Sequence, residues 1–381
     1  MSASILELQD VNKVYRPMRR EPVHAVRDFS LTVNRGEIVA LLGSSGCGKT
    51  SVLRMIAGFE EVSAGAIRLG GRDIHGLAPA KRGVAMAFEG YSLYPPLTLK
   101  ENIAIALKSQ GIGREQYEAK VRTIAQLLEI EDILGRYPSS VSAGQQQRVS
   151  LGRALIREAA LHLLDEPMGQ LEPQLRAVLR GRIKHFIKEQ RLTAILVTHD
   201  QTEANALADR IAVMEEGRLQ QFDTPEEIKA RPANLFTGTF IGEPPMNTLN
   251  ATARLEDNLL KFHLEEDVVL GYPEDAFATG LRDRLLELEQ VTIGVRPHAV
   301  KLGEQGVSAK VYANQWLGDQ SHVAMHFAGS NLISVSHEHV PVVTGATVDI
   351  AFPVAELHLF DSRNGTALSH GGDPVEVPPV T

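Results

Sequence analysis

Residues 43–50 read Gly43-Ser44-Ser45-Gly46-Cys47-Gly48-Lys49-Thr50, and no other stretch constrains the chain as strongly. The spacing G-x-x-x-x-G-K-[ST] makes a glycine-rich turn whose backbone N–H groups cradle phosphate oxygens. Lys49 supplies a point charge to the outer phosphates, and the Thr50 hydroxyl is a ligand for Mg²⁺. The flanks match. Glu37-Ile38-Val39-Ala40-Leu41-Leu42 is an apolar run that reads as a buried strand, and residues 51–57 read as a helix stopped by Gly58. A chance lysine beside a glycine turn requires neither flank. The stretch therefore predicts an α/β domain that holds a nucleotide through Gly43, Ser44, Ser45, Gly46, Cys47, Gly48, Lys49 and Thr50.

The chain has 381 residues, enough for two or three domains. A hydrophobic fraction of 43% and a charged fraction of 23% place it among ordinary globular proteins. A net charge of −8 argues against a nucleic-acid partner. The single cysteine, Cys47, allows no internal disulfide, which suits a reducing cytoplasm. Met1-Ser2-Ala3-Ser4 does not read as a signal peptide, and no apolar run approaches the ~20 residues that span a bilayer. Membrane association is thus expected to run through a partner.

Residues 5–8 and 29–33 alternate apolar and polar as strands do. The basic run Arg16-Pro17-Met18-Arg19-Arg20 between them reads as a solvated loop. The pattern is helical over 99–134 and again over 143–157. Residues 161–167 read as a buried strand closing on Asp165 and Glu166, 171–190 as a helix, and 193–200 as a second apolar strand ending at His199 and Asp200. Strands alternating with helices predict a parallel sheet, whose ligands sit at the carboxyl ends of the strands. Lys49, Asp165, Glu166 and His199 all fall just past such ends.

The pattern changes after about Leu235, and Pro244-Pro245 marks a linker. Segments 291–295, 309–312, 322–325, 332–335 and 348–351 read as strands of a small β-barrel or sandwich, with Trp316 packed inside it and a helical insertion near 274–290. The expected division is 1–235 (with a helical subdomain at about 88–157), 236–370, and a disordered tail at 371–381.

Two further segments carry chemistry. Asp165 can hold the magnesium shell of a bound nucleotide, and Glu166 can polarise a water for in-line attack on its terminal phosphate. In Val141-Ser142-Ala143-Gly144-Gln145-Gln146-Gln147-Arg148, Ser142 and Gly144 open a helix whose N–H groups and dipole favour an anion. Taken alone, that segment also fits an ordinary helix cap.

Together, in this order and spacing, these residues resemble the ATP-binding-cassette transporter ATPases over about the first 235 residues. The resemblance implies a P-loop NTPase cassette with ATP and Mg²⁺ as cofactors. It implies that Tyr15 stacks on adenine, that residues 43–50 form the Walker A loop, and that Asp165 and Glu166 form Walker B with its catalytic base. Glu89 occupies the Q-loop position, where it can ligate Mg²⁺. Ser142, Gly144 and Gln145 lie in the signature motif, residues 169–172 in the D-loop, and His199 is the switch histidine, at the γ-phosphate or the attacking water.

The remainder is similar to the maltose-type sugar-importer branch. Tyr91-Ser92-Leu93-Tyr94-Pro95 with Glu101-Asn102-Ile103 resembles the segment that docks on a permease. Gly294-Val295-Arg296-Pro297 resembles a stretch of an OB-like, TOBE-type regulatory domain. The implied activity is ATP hydrolysis coupled to import of a small polar solute, a sugar or sugar alcohol. The implied partners are a second ATPase subunit, two integral-membrane permease subunits and an extracytoplasmic solute-binding protein. The implied location is peripheral, on the cytoplasmic face of the cell membrane. Two such cassettes sandwich two ATP molecules, each between the Walker A loop of one and the signature helix of the other.

Some positions depart from the family pattern. Glu89 replaces a glutamine and adds charge, Ala143 replaces a glycine, and the D-loop begins with Gly169 and ends in Glu172 rather than aspartate. These predict either an asymmetric pair with a more standard cassette, in which this site turns over slowly, or drift within a working homodimer. Two other classes compete. A soluble cassette ATPase serving translation or repair usually carries a second cassette or long coiled-coil insertions. A low-turnover regulator would act through its C-terminal β-domain. His337-Glu338-His339 has no evident third ligand and is not read as a metal site.

Overall fold

The computed structural model describes residues 4–16, 21–110, 112–371 and 373. Most of the basic run, at 17–20, and nearly all of the expected tail, at 374–381, lie outside the described residues. The chain divides into two units, Met1–Pro225 and Glu226–Thr381.

The first unit begins with Ser4–Tyr15 (β1), Val23–Asn34 (β2), Ile38–Gly43 (β3), Lys49–Ala57 (α1), Ala64–Leu69 (β4), Arg72–Asp73 (β5) and Val84–Ala87 (β6). Helices Leu99–Ala104 (α2), Arg114–Leu127 (α3) and Ala143–Leu155 (α4) follow. Leu161–Asp165 (β7), Pro173–Glu189 (α5), Ala194–Thr198 (β8), Gln201–Leu207 (α6), Arg210–Glu215 (β9) and Arg218–Asp223 (β10) complete it.

Two sheets result: β2-β1-β4-β5, which is antiparallel, and β10-β9-β3-β8-β7-β6, which is parallel except at the β10 edge. β3, β7 and β8 are buried at every residue. That is why their sequences are unbroken apolar runs rather than alternations: helices or a second sheet cover both faces. α1 shares a core with both sheets: its Leu53 and Ile56 belong to one buried cluster with Leu6 and Phe29 of the first sheet and Leu41 and Leu163 of the second. Register then builds the site. Leu42 pairs with Thr198, and Asp165 with Val197. The ends of β3, β8 and β7 therefore lie side by side along one edge, each strand about 4.8 Å from the next.

The region expected to be helical over 99–134 is two separate helices, α2 and α3. α4 packs closely on α3 because Gly152 has no side chain. A Cβ there would stand 2.8 Å from the Ile124 methyl and 3.0 Å from Leu128. Arg148 of α4 donates to the Leu128 carbonyl at 2.8 Å and also to that of Glu129, closing the end of α3.

The second unit opens with Pro225–Ala230 (α7) and Leu235–Phe240 (α8). It continues through Asn247–Glu256 (β11), Leu259–His263 (β12), Val269–Pro273 (β13), Thr279–Glu287 (α9), Val291–Val295 (β14), Lys301–Trp316 (β15), Ser321–Phe327 (β16), Ser330–Ser336 (β17), Thr347–Ala351 (β18), Leu357–Asp361 (β19) and Ala367–His370 (β20). The strands form two sheets, β13-β12-β11-β14-β19-β20 and β17-β16-β15-β18. Phe262, Ile293 and Leu359 of the first meet Val323, Met325 and Leu332 of the second in one core.

The division between the units falls at Pro225–Glu226, at the first residue of α7. The buried Arg296 guanidinium donates to the carbonyls of Lys229, Gly238 and Ile241 and ties both helices to the end of β14. Trp316 corrects the expectation of a packed tryptophan. It ends β15 with 47% of its surface exposed, its ring centroid 5.6 Å from that of His339. His337 and His339 lie past the end of β17, outside any strand face.

Candidate active site

The phosphate loop leaves β3 and enters α1 through left-handed glycines, Gly46 at φ +80° and Gly48 at φ +107°. Gly43 is needed for close approach. A Cβ there would lie 2.3 Å from the Met214 carbonyl oxygen and 2.6 Å from Cys47 Sγ. Ser44, Ser45 and Gly46 are exposed, whereas Cys47 is buried behind the loop, so the cysteine is a filler. Lys49 Nζ arches over the turn and donates to the carbonyls of Gly43 (2.8 Å) and Ser44 (2.9 Å). Thr50 follows in the first turn of α1. Tyr15, at the end of β1, lies within hydrogen-bond distance of Ser51 Oγ at 3.1 Å, and the Lys13 ammonium sits 4.7 Å from its ring centroid. The aromatic thus stands beside the loop-to-helix turn.

Asp165 ends β7 at 3% exposure, and its Oδ1 has no hydrogen-bond partner. Burial, and after it the charge of Glu89, push its carboxyl up to about 6, against the pull of Arg54 and Lys49. Asp165 and Glu89 line one cavity of about 500 Å³ together with Arg54, Tyr91 and Gln170. A buried carboxylate oxygen without a partner, in a cavity lined by a second carboxylate, has donor chemistry suited to a hard divalent cation.

Glu166 adopts φ +45°, unusual for a residue with a side chain. Its N–H donates to the Val197 carbonyl at 2.9 Å, and its Oε1 lies 2.9 Å from His199 Nδ1. His199 stands just past β8 with 63% of its side chain exposed. Asp165, Glu166, His199 and the phosphate loop are thus neighbours along one sheet edge.

Ser142 caps α4. Its hydroxyl accepts from the Gln145 N–H at 3.3 Å, while Gln145 Oε1 accepts from the Ser142 N–H at 3.0 Å, a reciprocal capping box. Ala143 is the first residue of that helix and is not among the positive-φ positions, so its methyl brings no left-handed strain. Gly144 faces the D-loop, where a Cβ would stand 2.9 Å from the Gln170 carbonyl oxygen. Gly169 has room for a side chain, and Glu172 precedes Pro173 at the N-cap of α5 without a side-chain cap bond.

Several side chains that hold the loops of this site did not declare their partners in the sequence. Gln147 is buried and bonds Glu166 and Gln170. Arg153 donates to the carbonyls of Tyr91 (2.9 Å) and Ser92 (2.8 Å), both left-handed, and lies 5.8 Å from the Tyr94 ring centroid. The buried Asn102 side chain accepts from the Tyr94 N–H at 2.7 Å and donates to the Leu97 and Thr98 carbonyls at 3.1 and 3.0 Å. Arg176 pairs with Asp200 at 3.1 Å. Glutamines and arginines are common on solvated helix faces, so only the three-dimensional partner reveals which of them turns inward.

Comparisons with known proteins identify the family. The ABC transporter family matches residues 26–169, and the TOBE domain family matches residues 293–360. An sn-glycerol-3-phosphate import ATP-binding protein, UgpC, of Cereibacter sphaeroides is 40% identical over 95% of this chain and 99% of its own length. The chain belongs to the ATP-binding subunits of ABC transporters. Other members of this ABC family resemble it to a similar degree. The trehalose/maltose import ATP-binding protein MalK of Thermococcus litoralis is 38% identical over 95% of this chain and 99% of itself. The xylose/arabinose import ATP-binding protein XacK of Haloferax volcanii is 36% identical over 96% of this chain and 95% of itself. A solved dimer of the ATP-binding cassette MJ0796, in a post-hydrolysis state with ADP and Pi, superposes with a TM-score of 0.54. It has 25% identity and covers 58% of this chain and 98% of that one. As an ABC ATPase the subunit binds ATP and hydrolyses it in the service of transport. Among the described residues no helix is long and apolar enough to cross a membrane.

Proposed function

We propose that this subunit powers uptake of a small polar solute, a sugar, sugar alcohol or comparably polar metabolite. It would act on the cytoplasmic face of the cell membrane, bound to two integral-membrane permease subunits and supplied by an extracytoplasmic solute-binding protein. The observation that carries the solute class is that full-length relatives spanning both units are named for import of glycerol phosphate, trehalose or maltose, and xylose or arabinose.

The observation that carries the chemistry is the 2.9 Å contact of Glu166 with His199 beside the phosphate loop. In this reading Tyr15 stacks on the adenine, and the N–H groups of residues 43–50 bind the phosphate chain with Lys49. The orphaned Oδ1 of Asp165 and the neighbouring Glu89 fit a magnesium ion, with Thr50 as the hydroxyl ligand. That ion, when bound, neutralises phosphate charge. Glu166 takes a proton from the attacking water as its oxygen bonds to the γ-phosphorus and the bond to the β-phosphate oxygen breaks. His199, donating from Nδ1, fixes the carboxylate and faces the transferring phosphate. Ser142, Gly144 and Gln145 complete the site of a second ATPase subunit, identical or different, through the N-terminus of α4.

Glu166→Gln tests the reading. It should lower turnover at least ~100-fold while ATP binding stays within twofold, the signature of a lost base rather than a lost site. Turnover at the wild-type level would remove Glu166 from its role. Co-purification with two membrane subunits, and stimulation by a binding protein loaded with candidate sugars, test the transport assignment.

A further inference from the structure

Gln147 is a glutamine with 3% exposure on the third helical turn-position after Gly144, and both ends of its amide are engaged. Its Nε2 donates to the Glu166 carbonyl at 2.7 Å, and its Oε1 accepts from the Gln170 N–H at 2.9 Å. The amide therefore spans the loop from the catalytic carboxylate to the D-loop. We propose that Gln147 is a positioning residue for hydrolysis, which holds Glu166 in its working conformation from the helix that opens at Ser142. The inference rests on the reading of Glu166 as the general base.

Three observations lead there. Glu166 sits at φ +45°, where a residue with a Cβ is disfavoured by roughly 1–2 kcal/mol and persists only if its surroundings hold it. The bonds at its two peptide groups are its N–H to Val197, the Gly169 N–H to its carbonyl at 3.3 Å, and the shorter Gln147 bond to that same carbonyl. Next, the chemistry is particular to an amide. One planar group must donate at one end and accept at the other, which a methionine or leucine of similar volume does not do. Finally, the helix carrying Gln147 is pressed against the loop at a second point, since Gly144 leaves no room for a Cβ before the Gln170 carbonyl. The adjacent glutamines do other work. Gln145 belongs to the capping box, and Gln146 donates to the Pro138 and Val141 carbonyls at 3.0 and 3.3 Å. A ligand that draws on the first turn of α4 therefore pulls, through Gln147, on the backbone that aims Glu166. This links the α4 N-terminus to hydrolysis within the same subunit.

Gln147→Met preserves volume and removes both bonds, and Gln146→Met removes an amide from the same turn without touching the loop. Both are to be measured in the full chain, alone and assembled with its permease. For Gln147→Met, turnover should fall at least tenfold, with KM for ATP and the binding of a fluorescent ATP analogue within twofold of wild type. Gln146→Met should keep turnover within twofold. Turnover of Gln147→Met within twofold of wild type would overturn the proposal. So would a loss of turnover matched by an equal loss of nucleotide affinity, which marks a structural role. If melting curves show Gln147→Met unfolded, Gln147→Glu carries the same test, since it keeps the acceptor for Gln170 and loses the donor to Glu166. Glu166→Gln is run in parallel. If that variant alone retains turnover, the reading of the base fails separately from the reading of Gln147.

Discussion

At the residue scale the most informative pair is Asp165 and Glu89. Burial is the larger cause of the raised Asp165 carboxyl, and the Glu89 charge is the next. A glutamine at 89 would keep an oxygen toward the same cavity without that charge. Glu89→Gln should therefore raise turnover in the assembled transporter severalfold, measured as phosphate release at saturating ATP and magnesium. An unchanged rate would mean that the like charge at 89 does not limit this site. The Ala143 departure carries no backbone strain, because the helix it opens has ordinary right-handed backbone.

Elements set the next scale, and α6 illustrates it. Asp200 caps the helix by accepting from the Glu203 N–H at 2.9 Å, so the turn that carries His199 is anchored one residue later. Glu203 itself is buried at 3% exposure, and burial pushes its carboxyl up to about 7 despite the 2.7 Å bond from the Thr198 hydroxyl. A carboxyl with a raised folded-state pKa favours the neutral form in the fold. Its contribution is complete below the ordinary value of 4.5 and is lost as pH rises through about 7. Over that window the loss is at most roughly 3 kcal/mol, at about 1.4 kcal/mol per pH unit. Glu203→Gln is neutral at every pH and should abolish this part of the decline. Calorimetric melting of the full chain at pH 5 and pH 8 checks it. An identical decline in the variant would place the pH dependence elsewhere.

The whole molecule is two units, and in the second a buried arginine ties α7 and α8 to the end of β14. Arg296 is 4% exposed, and burial lowers its guanidinium to about 10, so it remains charged at neutral pH, with the three carbonyl oxygens as its acceptors. Arg296→Met leaves three carbonyls without their donor, each costing about 1–3 kcal/mol. The expected result is a second unit destabilised by ~3 kcal/mol or more, with new proteolytic cleavage within 226–245, while nucleotide binding by the first unit is retained. Unaltered protease resistance would show that α7 and α8 are held by other contacts.

The candidate catalytic groups were legible in the sequence because their chemistry is local. A glycine loop between strand and helix, a carboxylate pair closing an apolar run and a histidine after another each declare themselves within about eight residues. Parallel strands buried on both faces also read clearly, since nothing polar interrupts them. The second unit was harder. β11 to β13 and β19 to β20 were not read, and β15 was seen only as the fragment 309–312, because polar residues such as Asn247 and His358 occupy buried positions and blur the apolar pattern. Trp316 was misplaced because apolar character does not say which face of a sheet is covered. By itself the sequence determined that this chain is an ATP-binding cassette, and it pointed to Glu166 as the candidate base. Only the tertiary structure decided how Glu166 is held. The partners of Gln147, Arg153 and Arg296 are backbone carbonyls and N–H groups far along the chain, every residue type offers those groups, and only the fold selects which ones a side chain meets.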